Sequence, residues 1–148
     1  MPETVIDILL VEDNPSDIEL ALYAFKTNEI IDRVHIVRDG VEALDYIFRN
    51  GKYQNRRVQD IPKIILLDLK LPKVSGLEVL KRIKSDEQMK TIPIIALTTS
   101  KELSDVSSCY RSGVNSYIVK PVDFDEFAEA IQSIVNYWLI LNHFPKQL

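Results

Sequence analysis

Two textures of apolar and polar residues alternate along the chain. Five short runs are almost continuously apolar: VIDILLV (5–11), RVHIV (33–37), KIILLDL (63–69), PIIALTT (93–99) and SYIVK (116–120). They are rich in Ile, Val and Leu and mostly lack the every-other-residue alternation of a half-exposed strand. That pattern predicts strands covered on both faces, as in a parallel sheet. Between them the apolar residues recur at helical spacing. Ile18, Ala21, Leu22 and Phe25 form one stripe, after a DNPSD start suited to a helix cap. Val41, Leu44, Ile47 and Phe48 form a second, and Leu77, Leu80 and Ile83 a third. A weaker helix is predicted from Lys101 to Ser112, ended by Gly113, and a fifth from about Phe124 to Leu141.

Strand and helix therefore alternate five times, which predicts an α/β sandwich with right-handed crossovers and helices on both faces of the sheet. At 148 residues the chain fits one domain, 1–148, with a core of about 5–140 and a short tail, 141–148. One stretch breaks the economy of short connections. RNGKYQNRRVQDIP, 49–62, is a long polar loop, and loops of that length are usually functional or mobile.

Composition narrows the classes of function. Apolar residues make up 46 % and charged residues 27 %, enough for a core and a solvated surface. The net charge of -4 argues against a nucleic-acid surface. The start, MPETVID, lacks the pattern of a signal peptide, and no run approaches the ~20 apolar residues of a membrane span. With a single cysteine, Cys109, no intrachain disulfide can form; a buried apolar role is expected for it, and a cytoplasmic location.

The candidate chemistry lies at the ends of the predicted strands. Glu12 and Asp13 follow the first, Asp68 ends the third, Thr98 the fourth and Lys120 the fifth. Open α/β sheets bind ligands beyond the carboxyl ends of their strands, so these residues are expected to meet in one cleft. Three carboxylates there repel. Each pair of unit charges at ~4 Å and an effective dielectric of ~20 costs ~4 kcal/mol. A divalent cation offsets this, and oxygen ligands at a partly hydrated site suit Mg²⁺. Lys120 adds a positive charge, and the Thr98 hydroxyl can donate to a phosphoryl oxygen. A carboxylate nucleophile, Mg²⁺, Lys and Thr together are what an aspartyl-phosphate site needs. Taken singly these residues carry little; VEDN alone reads better as a turn with a helix cap. Their joint placement, each at the end of its own strand, is what points to function.

The same residues carry a resemblance. The acidic pair Glu12–Asp13, LLDLKLP with Asp68, Pro72 and Gly76, then Thr98, and YIVKP with Lys120 and Pro121 stand in the order and spacing of response-regulator receiver domains, over about Val5 to Leu139. The resemblance implies a flavodoxin-like five-stranded sheet of order 2-1-3-4-5. It implies that Asp68 accepts a phosphoryl group from a phosphohistidine on a sensor histidine kinase, so the chain would catalyse only its own phosphorylation and dephosphorylation. Mg²⁺ (or Mn²⁺) would be bound by Asp13, Asp68 and the backbone carbonyl of Lys70, with Glu12 acting through water. Lys120 would pair with the acyl phosphate, Thr98 would turn inward to it, and Tyr117 would follow as the switching aromatic. The Lys120–Pro121 bond would be cis. The loop with GKY, the helix PKVSGLEVLKRIKSD, IPIIALTTS and the tail YWLILNHFP resemble the stand-alone response regulators associated with phytochromes of cyanobacteria and other bacteria, which makes a phytochrome the expected kinase.

Lys70 and Thr99 depart from the common receiver pattern and are expected to slow hydrolysis of the acyl phosphate. Lys70 also weighs against a haloacid-dehalogenase-like phosphatase, which needs an Asp at that position as general acid. A pseudo-receiver that binds without accepting phosphate is opposed by the complete set of five residues. With no output domain visible, signalling is expected through a homodimer built on the fifth strand and fifth helix, joined by the fourth helix. Phe127, Tyr137, Ile140, Leu141 and Phe144 are the candidate interface residues. No nucleic acid and no membrane are expected among the partners.

Overall fold

A computed structural model describes residues 5–145. Five strands, β1 (Ile8–Val11), β2 (Val34–Val37), β3 (Ile64–Leu67), β4 (Ile94–Thr98) and β5 (Ser116–Val119), form one sheet of order β2-β1-β3-β4-β5. All four pairings are parallel. Val11 lies level with Val37 on one side and Leu67 on the other, so the strands that lead into Glu12 and Asp68 end side by side.

Five helices fill the crossovers: α1 (Pro15–Thr27), α2 (Gly40–Phe48), α3 (Gly76–Lys84), α4 (Leu103–Arg111) and α5 (Phe124–Val135). In β1, β3 and β4 the continuous apolar runs are explained by burial on both faces, whereas the edge strands β2 and β5 are only partly buried. Leu9, Val11, Ile65, Leu67, Ile94 and Ala96 pack with Leu44 and Ile47 of α2, Leu80 and Ile83 of α3, and Cys109 of α4. Ile8, Leu10, Ile64, Leu66, Ile95 and Leu97 pack with Ala21 and Phe25 of α1 and with Phe127, Ile131 and Val135 of α5. Four helices start on a side-chain cap that satisfies otherwise orphaned N–H groups: Asn14, Asp39, Ser75 and Asp123.

Two glycines bring helix starts hard against the β3–α3 connection. A Cβ on Gly76 would lie 2.2 Å from the Asp68 carbonyl oxygen, and one on Gly40 1.9 Å from that of Val74. Only glycine allows that approach. At the other end of α3, the half-buried Lys84 ammonium donates to the carbonyls of Lys90 (3.0 Å) and Ile92 (2.7 Å) and to Asn115 Oδ1 (2.9 Å). Burial pushes its pKa down to about 8. Lys84→Met removes the donor that the Lys90 and Ile92 carbonyls share, while Asn115 Oδ1 keeps the Ile94 N–H, and is expected to lower stability at pH 7 by about 2 kcal/mol, read by urea denaturation.

The long loop is pinned rather than free. A 3₁₀ turn, Gly51–Tyr53, brings Tyr53 onto β2, where its hydroxyl donates to Glu42 Oε2 (2.8 Å) and meets His35 Nε2 (2.9 Å). His35 stacks on Tyr46 at 4.6 Å, the Arg56 guanidinium lies 3.7 Å from the Tyr46 ring, and Arg56 donates to the carbonyls of Tyr46 and Asp60.

The end of the chain corrects several expectations. The fifth helix is α-helical only to Val135 and closes as a π-helix, Asn136–Leu141. Phe127, expected at an interface, is 3 % exposed, because its position on α5 faces the sheet. Phe144, also expected there, is partly buried against the same core layer beside Lys63, because the tail folds back over its own domain. Tyr137, Ile140 and Leu141 remain exposed. No peptide bond among the described residues is cis, so Lys120–Pro121 is trans; with that bond the Lys120 ammonium already reaches the site. The last tail residues, 146–148, lie outside the described part.

Candidate functional site

The expected residues converge. Carboxylate oxygens of Glu12, Asp13 and Asp68 all lie within 4.8 Å of one another. Glu12 and Asp68 are buried and Asp13 is the most accessible of the three. Asn14 N–H donates to Glu12 Oε2 (3.1 Å) and Lys70 N–H to Asp68 Oδ1 (3.3 Å), so each buried carboxylate is tied to the loop after its strand. The side chain of Lys70 is exposed, as is Thr99.

Lys120 arrives from the end of β5, 8 % exposed. Its Nζ meets Glu12 Oε1 at 2.5 Å, Asp17 Oδ2 at 2.8 Å and Asp68 Oδ2 at 3.1 Å. Burial alone would lower the pKa of this ammonium; bonds to Asp17 and Glu12 outweigh it and raise the value. Glu12 moves the other way from a typical ion-paired acid. Its burial, helped by the charge of Asp68, exceeds the pull of Lys120 and Asn14 and lifts its pKa to about 7. The site thus holds four acids against one cation, the composition that attracts a further positive charge.

Thr98, at the end of β4, is fully buried, and its Oγ1 has no hydrogen-bond partner. A buried orphan hydroxyl costs about 1–3 kcal/mol, so an incoming acceptor oxygen would be well received. The loop beyond is fixed through Ser100. Its hydroxyl donates to Asp105 Oδ2 (2.5 Å), and its carbonyl accepts from Tyr117 Oη (2.9 Å).

Residues 8–132 match the family model of the response regulator receiver domain. The chain belongs to that family. Among relatives, it is 40 % identical over 138 residues to the probable methanogenesis regulatory protein FilR2 of Methanothrix harundinacea, covering 93 % of this chain and 86 % of that one. It is 39 % identical over 132 residues to the response regulator Rcp1 of Synechocystis, covering 89 % of this chain and 88 % of that one. The structure of the Mn²⁺-bound form of Rcp1 aligns with a TM-score of 0.86 over 94 % of this chain and 98 % of that one. The phosphorylated cyanobacterial phytochrome response regulator RcpA aligns with a TM-score of 0.87 at 40 % identity, over 94 % and 97 %.

In this receiver the acidic cluster fits a divalent cation. Glu12 is expected to make that binding proton-linked. In the metal-free protein Glu12 holds a proton over much of the range below pH 7, so affinity for a divalent ion is expected to rise from pH 6 to pH 8, with proton release. Calorimetric titration with Mn²⁺ in buffers of different ionisation enthalpy reads both; a pH-independent affinity would contradict it. The same raised pKa means that the fold keeps a proton the unfolded chain has lost. The Glu12 contribution to metal-free stability therefore falls as pH rises from about 4.5 to 7.

Three participants were not singled out by sequence reasoning: Asp17, Ser100 and Asp105. Asp17 had a signal. It stands in the first turn of α1, and that turn sits over the carboxyl ends of the strands. Ser100 and Asp105 had none, because their meeting depends on the path of the loop between β4 and α4.

Proposed function

We propose that this chain is a single-domain response regulator that accepts a phosphoryl group on Asp68 from a phosphohistidine of a sensor histidine kinase. The observation that carries the reading is that Asp68 belongs to the divalent-metal cluster and accepts a hydrogen bond from Lys120; Glu12 shares both surroundings but is the acid that burial keeps protonated up to about pH 7. In the transfer, an Asp68 oxygen forms a bond to phosphorus, the phosphorus–nitrogen bond breaks, and the imidazole leaves. Lys120 and the Thr98 hydroxyl stabilise the phosphoryl oxygens, which gain charge during transfer. Mg²⁺ or Mn²⁺, held by Asp13, Asp68 and the Lys70 carbonyl with Glu12 through water, would supply the remaining positive charge when bound. Thr98 and Tyr117 are the switch, biasing the surface of α4, β5 and α5 through the Ser100 loop. Relatives of phytochrome type favour a phytochrome as the kinase.

Mass measurement after treatment with acetyl phosphate and Mg²⁺ tests the reading. A single added phosphoryl group is expected; none would overturn it. A phosphatase of the haloacid-dehalogenase kind is disfavoured, since Lys70 stands where the general acid would be.

The output is a homodimer on the α4–β5–α5 face, extended by Tyr137, Ile140 and Leu141. These apolar side chains are 50 %, 69 % and 61 % exposed, more than a solvated helix end needs. Sedimentation at micromolar concentration is expected to show a dimer, and monomer alone, with and without phosphorylation, would contradict it. The net charge of -4 weighs against a nucleic-acid partner. No helix among the described residues is long and apolar enough to cross a membrane, and a cytoplasmic location fits.

A further inference from the structure

We infer that Asp17 is a positioning residue for phosphoryl transfer, holding the Lys120 ammonium in place while its other two partners change; this rests on the phosphoryl-acceptor reading above. An ammonium has three N–H donors. Lys120 donates to Asp17 and Asp68 and stands in short ionic contact with Glu12, so carboxylates surround its ammonium on three sides.

The three partners have different fates. Glu12 and Asp68 belong to the cluster that fits a divalent cation, and Asp17 does not. When the cluster takes up a cation and Asp68 is acylated, Glu12 and Asp68 share or lose the charge that faced Lys120. Two protons are then released toward the phosphoryl oxygens. The third stays on Asp17, whose charge no other group in the site requires. Asp17 is itself fixed: it lies in the first turn of α1, and its N–H donates to the Asn14 cap at 3.1 Å. The side chain of Lys120 is 5 % exposed and that of Asp17 22 % exposed, so the contact is shielded enough to hold direction rather than flicker as surface pairs do.

Without this anchor, Lys120 would be drawn toward Glu12, its shortest contact, and away from the line of transfer. Misplacement of about an ångström costs up to roughly a hundredfold in rate. Loss of a negative charge alone would act in the opposite sense, because it makes the site more welcoming to a dianionic phosphoryl group. The two effects are separable. Asn keeps an oxygen that can accept from Nζ and removes the charge; Ala removes both.

The experiment compares wild type, Asp17→Asn and Asp17→Ala for the rate of acyl-phosphate formation from acetyl phosphate at saturating Mg²⁺. Mn²⁺ affinity is measured by calorimetry on the same proteins. Asp17→Ala is expected to be slower by roughly tenfold or more, Asp17→Asn to stay within a few-fold of wild type, and Mn²⁺ affinity to change little in either. Two variants as fast as wild type or faster would overturn the inference, leaving only a charge effect. So would parallel loss of rate and metal affinity, the mark of a collapsed site. A wild type that takes up no phosphoryl group would overturn the functional reading, and this inference with it.

Discussion

Asp68→Asn is expected to take up no phosphoryl group from acetyl phosphate under conditions that fully label the wild type. The amide has no anionic oxygen to attack phosphorus, and no second carboxylate is placed to replace it. Glu12, in short contact with Lys120, is the acid whose pKa burial lifts to about 7, so it carries a proton over much of the range below neutrality and attacks poorly. Asp13 is the most accessible member of the cluster, and the partners of the Lys120 ammonium are Glu12, Asp17 and Asp68. The fold should survive, because Lys120 keeps two of its three carboxylates. A second readout comes from Glu12. The charge of Asp68 helps to raise its pKa, so the substitution is expected to bring that value down from about 7, measurable by carboxylate NMR. Labelling of the Asn variant at wild-type level would place the acceptor elsewhere and remove the basis of the functional reading.

Lys120→Met should have the second largest effect, and on two properties at once. Transfer is expected to fall by roughly 10²–10³-fold, the loss that follows removal of one positioned donor from developing negative charge. Stability of the metal-free protein is expected to fall by about 3–5 kcal/mol, because Glu12 and Asp68 stay buried without a cation. Part of that loss should be relieved at low pH, where the carboxyls protonate, and part by millimolar Mg²⁺. Thermal melts at pH 5 and pH 8, with and without Mg²⁺, read both. Equal stability of variant and wild type at pH 8 without metal would show that the acids do not depend on Lys120.

The positions of these residues were legible in the sequence for a physical reason. Strands buried on both faces must be continuously apolar, so the first charged residue after each run marks where the chain leaves the sheet. Glu12, Asp68 and Lys120 announced themselves in this way. The strand order followed from the resemblance rather than from the runs, which carry no information about which strand lies beside which. The tail was less legible. Phe127, Tyr137, Ile140, Leu141 and Phe144 are all apolar and all near the end of the chain, and spacing could not say which of them the core would claim. Phe127 and Phe144 were claimed, the second because the tail beyond Leu141 lies against the core layer beside Lys63. The pinned loop at 49–62 was hidden for a related reason. Its anchors, Tyr53 and Arg56, bind His35, Glu42 and Tyr46, which come from two earlier elements. Asp17 went unremarked because an acid in the first turn of a helix is common, favoured there by the helix dipole.

The wide turn that ends the fifth helix bears on how the tail could vary in length. Each residue added to an ordinary α-helix rotates everything downstream by about 100°. The six-residue π-helix from Asn136 to Leu141 takes up that rotation locally, with Trp138 and Leu139 packed on the core while Ile140 and Leu141 are exposed. Shortening this stretch by one residue would be expected to swing Ile140 and Leu141 to a new bearing on the surface, changing which neighbour this end of the molecule could greet while leaving the sheet and its acids untouched.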